Sequence, residues 1–227
     1  MQFNRFAIYF MPDGSFGTTG AAWLGWDAIK GTEVPFPGTI TDIEAHQNRI
    51  ARPHKYGFHA TLKAPFRLSP ETSLERLIED FRQFCTTTQA ARADHLSIRK
   101  LGRFFALIPE GESETINQLA MKCLETFEPH RAALTPQELA KRRKNRLTPY
   151  QEQMLVKWGY PFVGDAFRFH ITLTGPLNVQ ITDETERELI SLFAPFLPSP
   201  FQIGKIALVG EREDGLFKVI EIGDLTG

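Results

Sequence analysis

Cysteine is scarce in this chain. The 227 residues hold only Cys85 and Cys123, too few for a disulfide framework and without metal-ligand spacing. They read as reduced, buried thiols. Excess charge of one sign is missing too: 26 Lys and Arg stand against 27 Asp and Glu, a formal net charge of -1. That balance excludes a general nucleic-acid coat and a membrane-surface protein, both of which need clustered positive charge. No apolar run approaches the roughly 20 residues that span a bilayer. The opening MQFNRFAIYFMPDG has Arg5 inside a short apolar stretch and no small-residue cleavage site, so it reads as a first strand and not as a signal peptide. The expectation is a cytoplasmic protein with no membrane partner. What remains is an ordinary globular composition, 42% hydrophobic and 23% charged, long enough to bury a core in one or two domains.

Strand and helix signals alternate along the chain. RFAIYF at 5–10 reads as a strand stopped by Pro12-Asp13-Gly14. A short helix is expected at 20–29, then a loop-rich stretch at 32–57. A strand follows at 58–67, and a helix at 72–88 with Leu74, Leu77, Ile78, Phe81 and Phe84 on one face. Paired strands at 96–109 and a helix at 113–127 complete this part. The segment 129–158 breaks the rhythm with two helices, each started by a capping threonine and a proline, Thr135-Pro136 and Thr148-Pro149. The first order then returns: a strand at 167–173, a helix at 183–195 and strands at 201–210 and 216–222.

The same order therefore occurs twice, and its strands carry nearly the same letters. FHATLKAPF at 58–66 and FHITLTGPL at 169–177 place His59 and His170 111 residues apart. Two copies are too few for a solenoid and imply two similar lobes. The expected class is α+β: one bilobal domain, with an N-terminal lobe at about 1–128, a helical insertion at about 129–158 and a C-terminal lobe at about 159–227. Sheets lie inside, helices outside, and a cleft runs between the lobes.

Residues two apart on a strand share a face. Phe58, Ala60, Leu62 and Ala64 make one apolar side; His59, Thr61 and Lys63 make the other. In the second copy Phe167, Phe169, Ile171 and Leu173 oppose Arg168, His170, Thr172 and Thr174. Polar faces meeting across a cleft would bring together two imidazoles, two hydroxyls and the cations Lys63 and Arg168. Hydroxyls and cations suit phosphoryl oxygens, and two histidines suit acid–base work near neutral pH. Tyr56, just before the first strand, is within reach from a loop. His95-Leu96-Ser97-Ile98 fits the short pattern but lacks the flanking letters, so His95 reads as a strand-edge residue. No metal or cofactor is expected: no HExxH is present, the strand motifs hold no carboxylate, and Lys63 and Arg168 would repel a cation. The basic run KRRKNR at 141–146 reads first as a solvated helix face. Its alternative is an electrostatic funnel for a phosphorylated substrate, or a patch for RNA.

At these residues the chain resembles the two-histidine phosphoesterase superfamily, whose hallmark is a pair of H-x-[ST]-apolar motifs on pseudo-symmetric lobes. ARPHKYGFHATLKAPF (51–66) and FRFHITLTG (167–175) are similar to one bacterial branch, phosphonate-metabolism proteins associated with carbon–phosphorus lyase operons. The resemblance implies metal-free cleavage of a phosphodiester, often a cyclic one. His59 and His170 would form the acid–base pair, and Thr61 and Thr172 would hold the phosphoryl oxygens. It also implies a small phosphorylated substrate such as 5-phosphoribosyl 1,2-cyclic phosphate. The alternatives are an RNA-end 2′,3′-cyclic phosphodiesterase and a non-enzymatic sensor of a cyclic phosphate.

Overall fold

Alternation in the first strand decides which side of the sheet becomes core. In β1 (Phe6–Phe10), Phe6, Ile8 and Phe10 join the main hydrophobic core, while Ala7 and Tyr9 pack on the other side with Trp26, Ala207, Val209 and Phe217. The computed structural model describes residues 2–144 and 146–227. After β1 come helix α1 (Gly14–Leu24), the short strands β2 (Trp26–Asp27) and β3 (Thr32–Glu33), and helix α2 (Ile43–Ile50). The first motif lies at the start of β4 (Ala60–Phe66), followed by α3 (Leu74–Thr86), β5 (Ala91–Ala93), β6 (His95–Leu101), β7 (Phe104–Glu110) and α4 (Glu114–Thr126). Helices α5 (Pro136–Arg143) and α6 (Pro149–Trp158) form the inserted segment. The chain closes with β8 (Ile171–Thr172), α7 (Thr182–Phe193), β9 (Phe201–Ile203), β10 (Lys205–Glu211) and β11 (Phe217–Asp224).

Seven strands form one sheet in the order β11-β10-β1-β4-β8-β7-β6, and every neighbouring pair is antiparallel. The α+β class follows directly. The two motif strands, β4 and β8, are central neighbours, with Ala60 opposite Ile171. The hairpin that follows each motif joins the sheet on the other motif's side: β6–β7 lies beyond β8, and β10–β11 lies beyond β1 and β4. Each half of the sheet thus takes strands from both sequence repeats, so the halves are not the contiguous stretches 1–128 and 159–227. β5 and β9 add a further link between the repeats, pairing Ala91 with Ile203.

The helices cover the face that carries Phe6 and Ile8. Leu77, Phe81 and Phe84 of α3, Ile116, Leu119 and Cys123 of α4, and Leu189 and Phe193 of α7 all enter that core. Their spacings of three, four and seven residues make one apolar stripe per helix, and each large side chain buried there contributes about 1.5–3 kcal/mol. Cys85 and Cys123 are free and buried in the same layer, where desolvation pushes the Cys85 thiol up to about 12.

Three local expectations need correction. The first helix is not at 20–29 but runs Gly14–Leu24, ended by Gly25 in the left-handed conformation at φ 70°. Its glycine-rich sequence is a weak helix former, tolerated because any Cβ on Gly20 would strike the Phe58 ring. The stretch 32–57 contains α2, capped by Asp42, whose side chain accepts the Ala45 N–H. The expected strand 167–173 pairs regularly only at Ile171–Thr172. Its alternation survives in buried Phe169, Ile171 and Leu173, but the Arg168 carbonyl faces a histidine ring and the Leu173 and Thr174 N–H groups both donate to Phe105 O. Both helices of the insertion start as expected, each with a complete capping box on Thr135 or Thr148.

Candidate active site

The antiparallel register assembles four polar side chains on the face away from α3, α4 and α7. With Ala60 opposite Ile171, His59 falls beside Thr172 and Thr61 beside His170. Cross-strand neighbours on one face have Cβ atoms about 4.5–5.5 Å apart. Each histidine therefore sits next to the threonine of the other motif. A local twofold through this strand pair maps His59 onto His170 and Thr61 onto Thr172.

Two adjoining cavities lie over this face. One, of about 440 Å³, is lined by Thr61 and His170; the other, of about 380 Å³, by His59, Thr61 and Thr172. Thr61, Phe104, Arg142 and Tyr160 border both, so the two make a continuous cleft.

Both imidazoles are oriented by the same bond. His59 Nδ1 lies 2.9 Å from Gly57 O, and His170 Nδ1 lies 2.7 Å from Arg168 O. A carbonyl only accepts, so Nδ1 carries the proton in each ring and Nε2 is left for the cleft. His59 Nε2 is 3.2 Å from Thr61 Oγ1.

Their surroundings differ. His59 stacks on Tyr9, with ring centres 4.0 Å apart, and lies 5.7 Å from Tyr56. Burial pushes its pKa down to about 4; the Gly57 carbonyl opposes the shift and nearby His170 adds to it. Among the described residues, the aromatic ring paired with His170 is Phe104, at 6.1 Å and tilted by 53°.

Of the other expected site residues, Tyr56 lines the His59 cavity. Arg168 lines the His170 cavity, exposed, with Nη1 donating to Asp165 O and Phe167 O. Lys63 is a correction. It borders the His170 cavity but departs from the expected facing, because β4 is bulged: Tyr9 pairs with Thr61, but Ile8, one residue back, pairs with Lys63. The bulge turns Lys63 to the helix side with Ile8, and Ala64 takes its place in the His59 cavity. There Lys63 is 2% exposed and donates to Leu124 O and Glu128 Oε2 at 3.0 and 2.9 Å. Thr174 borders the His59 cavity as well, but its buried hydroxyl accepts the Phe105 N–H at 3.0 Å.

The structure adds residues that the sequence reading missed. Tyr9 forms the wall behind His59, and strand alternation in RFAIYF, which opposes it to Ile8 and Phe10, was the available signal. Arg5 reaches both cavities but is held bidentately by Glu211. From KRRKNR, Lys141, Arg143 and Lys144 are exposed while Arg142 turns inward; Asn145 lies outside the described residues. Tyr160 gave no signal at all. Burial raises its phenol pKa. Among the described residues, no group of three His, Cys, Asp or Glu side chains is placed to hold a metal ion, and no helix is long and apolar enough to cross a membrane.

Several known proteins are similar. A Janthinobacterium protein named ribose 1,5-bisphosphate phosphokinase PhnN is 40% identical over 179 residues, 77% of this chain and 39% of the relative. Its namesake in Laribacter hongkongensis is 31% identical over 183 residues, 77% of this chain and 40% of that protein. The chain thus spans about two fifths of the length of these relatives. Among solved structures, Escherichia coli LigT complexed with 3′-AMP superposes with TM-score 0.47 at 13% identity, covering 100% of both chains. TT0787 of Thermus thermophilus superposes at 0.46 with 17% identity and 98% of both. The model of one family, described as "Protein of unknown function (DUF1045)", matches residues 61–218, and the chain belongs to that family.

Proposed function

We propose that this protein is a metal-independent phosphodiesterase that opens a small cyclic phosphate by two-histidine acid–base catalysis. The observation that carries this reading is the crossed quartet on β4 and β8: two rings with Nδ1 tied to carbonyls and Nε2 left for the cleft, each beside the other motif's threonine. Phosphorus held between the two Nε2 atoms is placed for attack on one side and departure on the other. His59, neutral over the physiological range, takes a proton from the attacking water. His170 donates its Nε2 proton to the leaving sugar oxygen. Each transfer contributes about 10²–10⁴-fold. The Thr172 hydroxyl, and that of Thr61 once it turns from His59 Nε2, donate to the non-bridging oxygens, where charge develops.

The favoured substrate is 5-phosphoribosyl 1,2-cyclic phosphate. Water adds to phosphorus, the P–O2 bond breaks, and O2 leaves with the proton from His170, giving ribose 1,5-bisphosphate. That product is the compound in the name of the longer relatives, so a chain joining both activities would consume what this segment releases.

The test is ³¹P NMR of the protein with chelator and a panel: this compound, 2′,3′-cyclic nucleotides and a short RNA with a cyclic end. Chelator-resistant opening of the ribosyl compound, lost in His59→Ala and His170→Ala, is expected. Preference for the RNA end would overturn the substrate assignment, and binding without turnover of any member would make the protein a sensor.

A further inference from the structure

Three cations that border the cleft, Arg52, Arg142 and Arg168, pair with no acid among the described residues; Arg52 and Arg168 are exposed, and Arg142 is the one withdrawn from solvent. Arg142, on α5, borders both cavities. It is half-buried, and its guanidinium carbon lies 5.3 Å from the centre of the Tyr160 ring. Three other cations of the cleft that are at least half-buried are engaged: Arg5 with Glu211, and Lys63 and Arg131 with Glu128. Glu138, one turn earlier on α5, is occupied by Arg67 and by the Thr135 N–H. Among the described residues no carboxylate pairs with Arg142. Burial without a partner works against the charge, and desolvation lowers its pKa accordingly. The ring of Tyr160 holds the guanidinium by a cation–π contact but leaves its planar fork of N–H donors unused. Such a fork matches two oxygens of a phosphate.

We propose that Arg142 binds a second phosphate of the substrate, a monoester remote from the reacting ring. The reacting phosphate already has four polar side chains on the sheet. Arg142 comes instead from the inserted helices, so that segment reads substrate identity while the sheet supplies chemistry. This assignment rests on the diesterase reading for its substrate, but the anion site can be tested without turnover.

Two measurements keep the claims apart. Calorimetry compares ribose 5-phosphate with ribose on wild type, Arg142→Gln, Arg142→Lys and Arg143→Gln, the last an exposed arginine paired with Glu152. Wild type should bind the phosphate ester. Arg142→Gln should weaken binding about 10–100-fold, the worth of a charge-assisted pair. Lysine should restore part of it, and Arg143→Gln should change nothing. Kinetics then compare 5-phosphoribosyl 1,2-cyclic phosphate with ribose 1,2-cyclic phosphate. Arg142→Gln should lower kcat/KM about 10–100-fold for the first and less than about 3-fold for the second. Equal loss on both would assign Arg142 to the reacting phosphate and overturn the proposal, as would unchanged ribose 5-phosphate binding in Arg142→Gln. If wild type opens neither diester but binds ribose 5-phosphate through Arg142, the diesterase reading falls and the anion site stands.

Discussion

The two copies of the motif share a backbone and differ in their walls. Both rings hang from the carbonyl two residues earlier, and both stand on one face of adjacent strands. Around His59 the walls are Tyr9 and Tyr56; beside His170, among the described residues, stand the tilted ring of Phe104 and an exposed arginine. Repetition supplied two equivalent imidazoles, and packing made them unequal. The proposed acid–base pairing needs that inequality, because a base must be neutral when an acid is protonated.

Removing either ring is the largest way to break the comparison. His59→Ala and His170→Ala should each lower kcat by about 10²–10⁴-fold, and the double variant should lose far less than the product of the two, because the residues act as a unit. Single-turnover rates by ³¹P NMR measure this. A variant within about 3-fold of wild type would remove that histidine from the mechanism.

Next is pH. His59 sits at about 4 instead of 6.5, so as the base it should keep kcat/KM high as pH falls through 6.5. Activity is then lost near 4 as the ring takes a proton. A rate that climbs as pH falls toward 4 would exchange the two roles. Stability carries the same sign: between pH 6.5 and 4 the unfolded chain binds a proton at His59 that the folded chain refuses, so stability declines through that window as pH falls. Denaturation midpoints read at fixed ionic strength check this.

Tyr9→Leu sharpens the contrast by making the first site resemble the second. Water reaching the ring should raise the His59 pKa toward 6.5, moving the acidic limb of the rate profile with it. The truncation itself should cost about 1–3 kcal/mol of stability. Titration of the His59 ring proton by NMR, alongside the profile, separates the two effects. An unmoved His59 pKa would show that something other than the Tyr9 wall sets it.

Much of this was legible because it depends on local periodicity. The alternation of FHATL and FHITL gave the face carrying His59, Thr61, His170 and Thr172, and the Thr-Pro caps gave both inserted helices. Lys63 was not legible: a bulge shifts facing by one residue, and it arises from pairing with β1, which no local pattern reports. The exchange of hairpins between repeats was hidden for the same reason, since adjacency of β8 with β7 is a tertiary choice. Arg142 sat in plain view within KRRKNR, but which of several cations turns inward depends on where α5 docks. Tyr9 was a reading not taken, since its face follows from the same alternation.

The smallest prediction separates two threonines that the sequence treats alike. Thr172 and Thr174 share a face by parity and both border the His59 cavity, yet Thr172 is half-buried while Thr174 is buried and accepts the Phe105 N–H. Thr172→Val should lower kcat by about 10-fold with the melting temperature nearly unchanged, since it removes one donor to the phosphoryl oxygens. Thr174→Val leaves a buried amide without its acceptor and should cost about 1–3 kcal/mol of stability, with kcat within about 3-fold of wild type. Thermal denaturation and steady-state rates on the same preparations decide it. If the two variants behaved alike, the division of that face into a reacting half and a supporting half would be wrong, and Thr174 would belong with the residues that touch substrate.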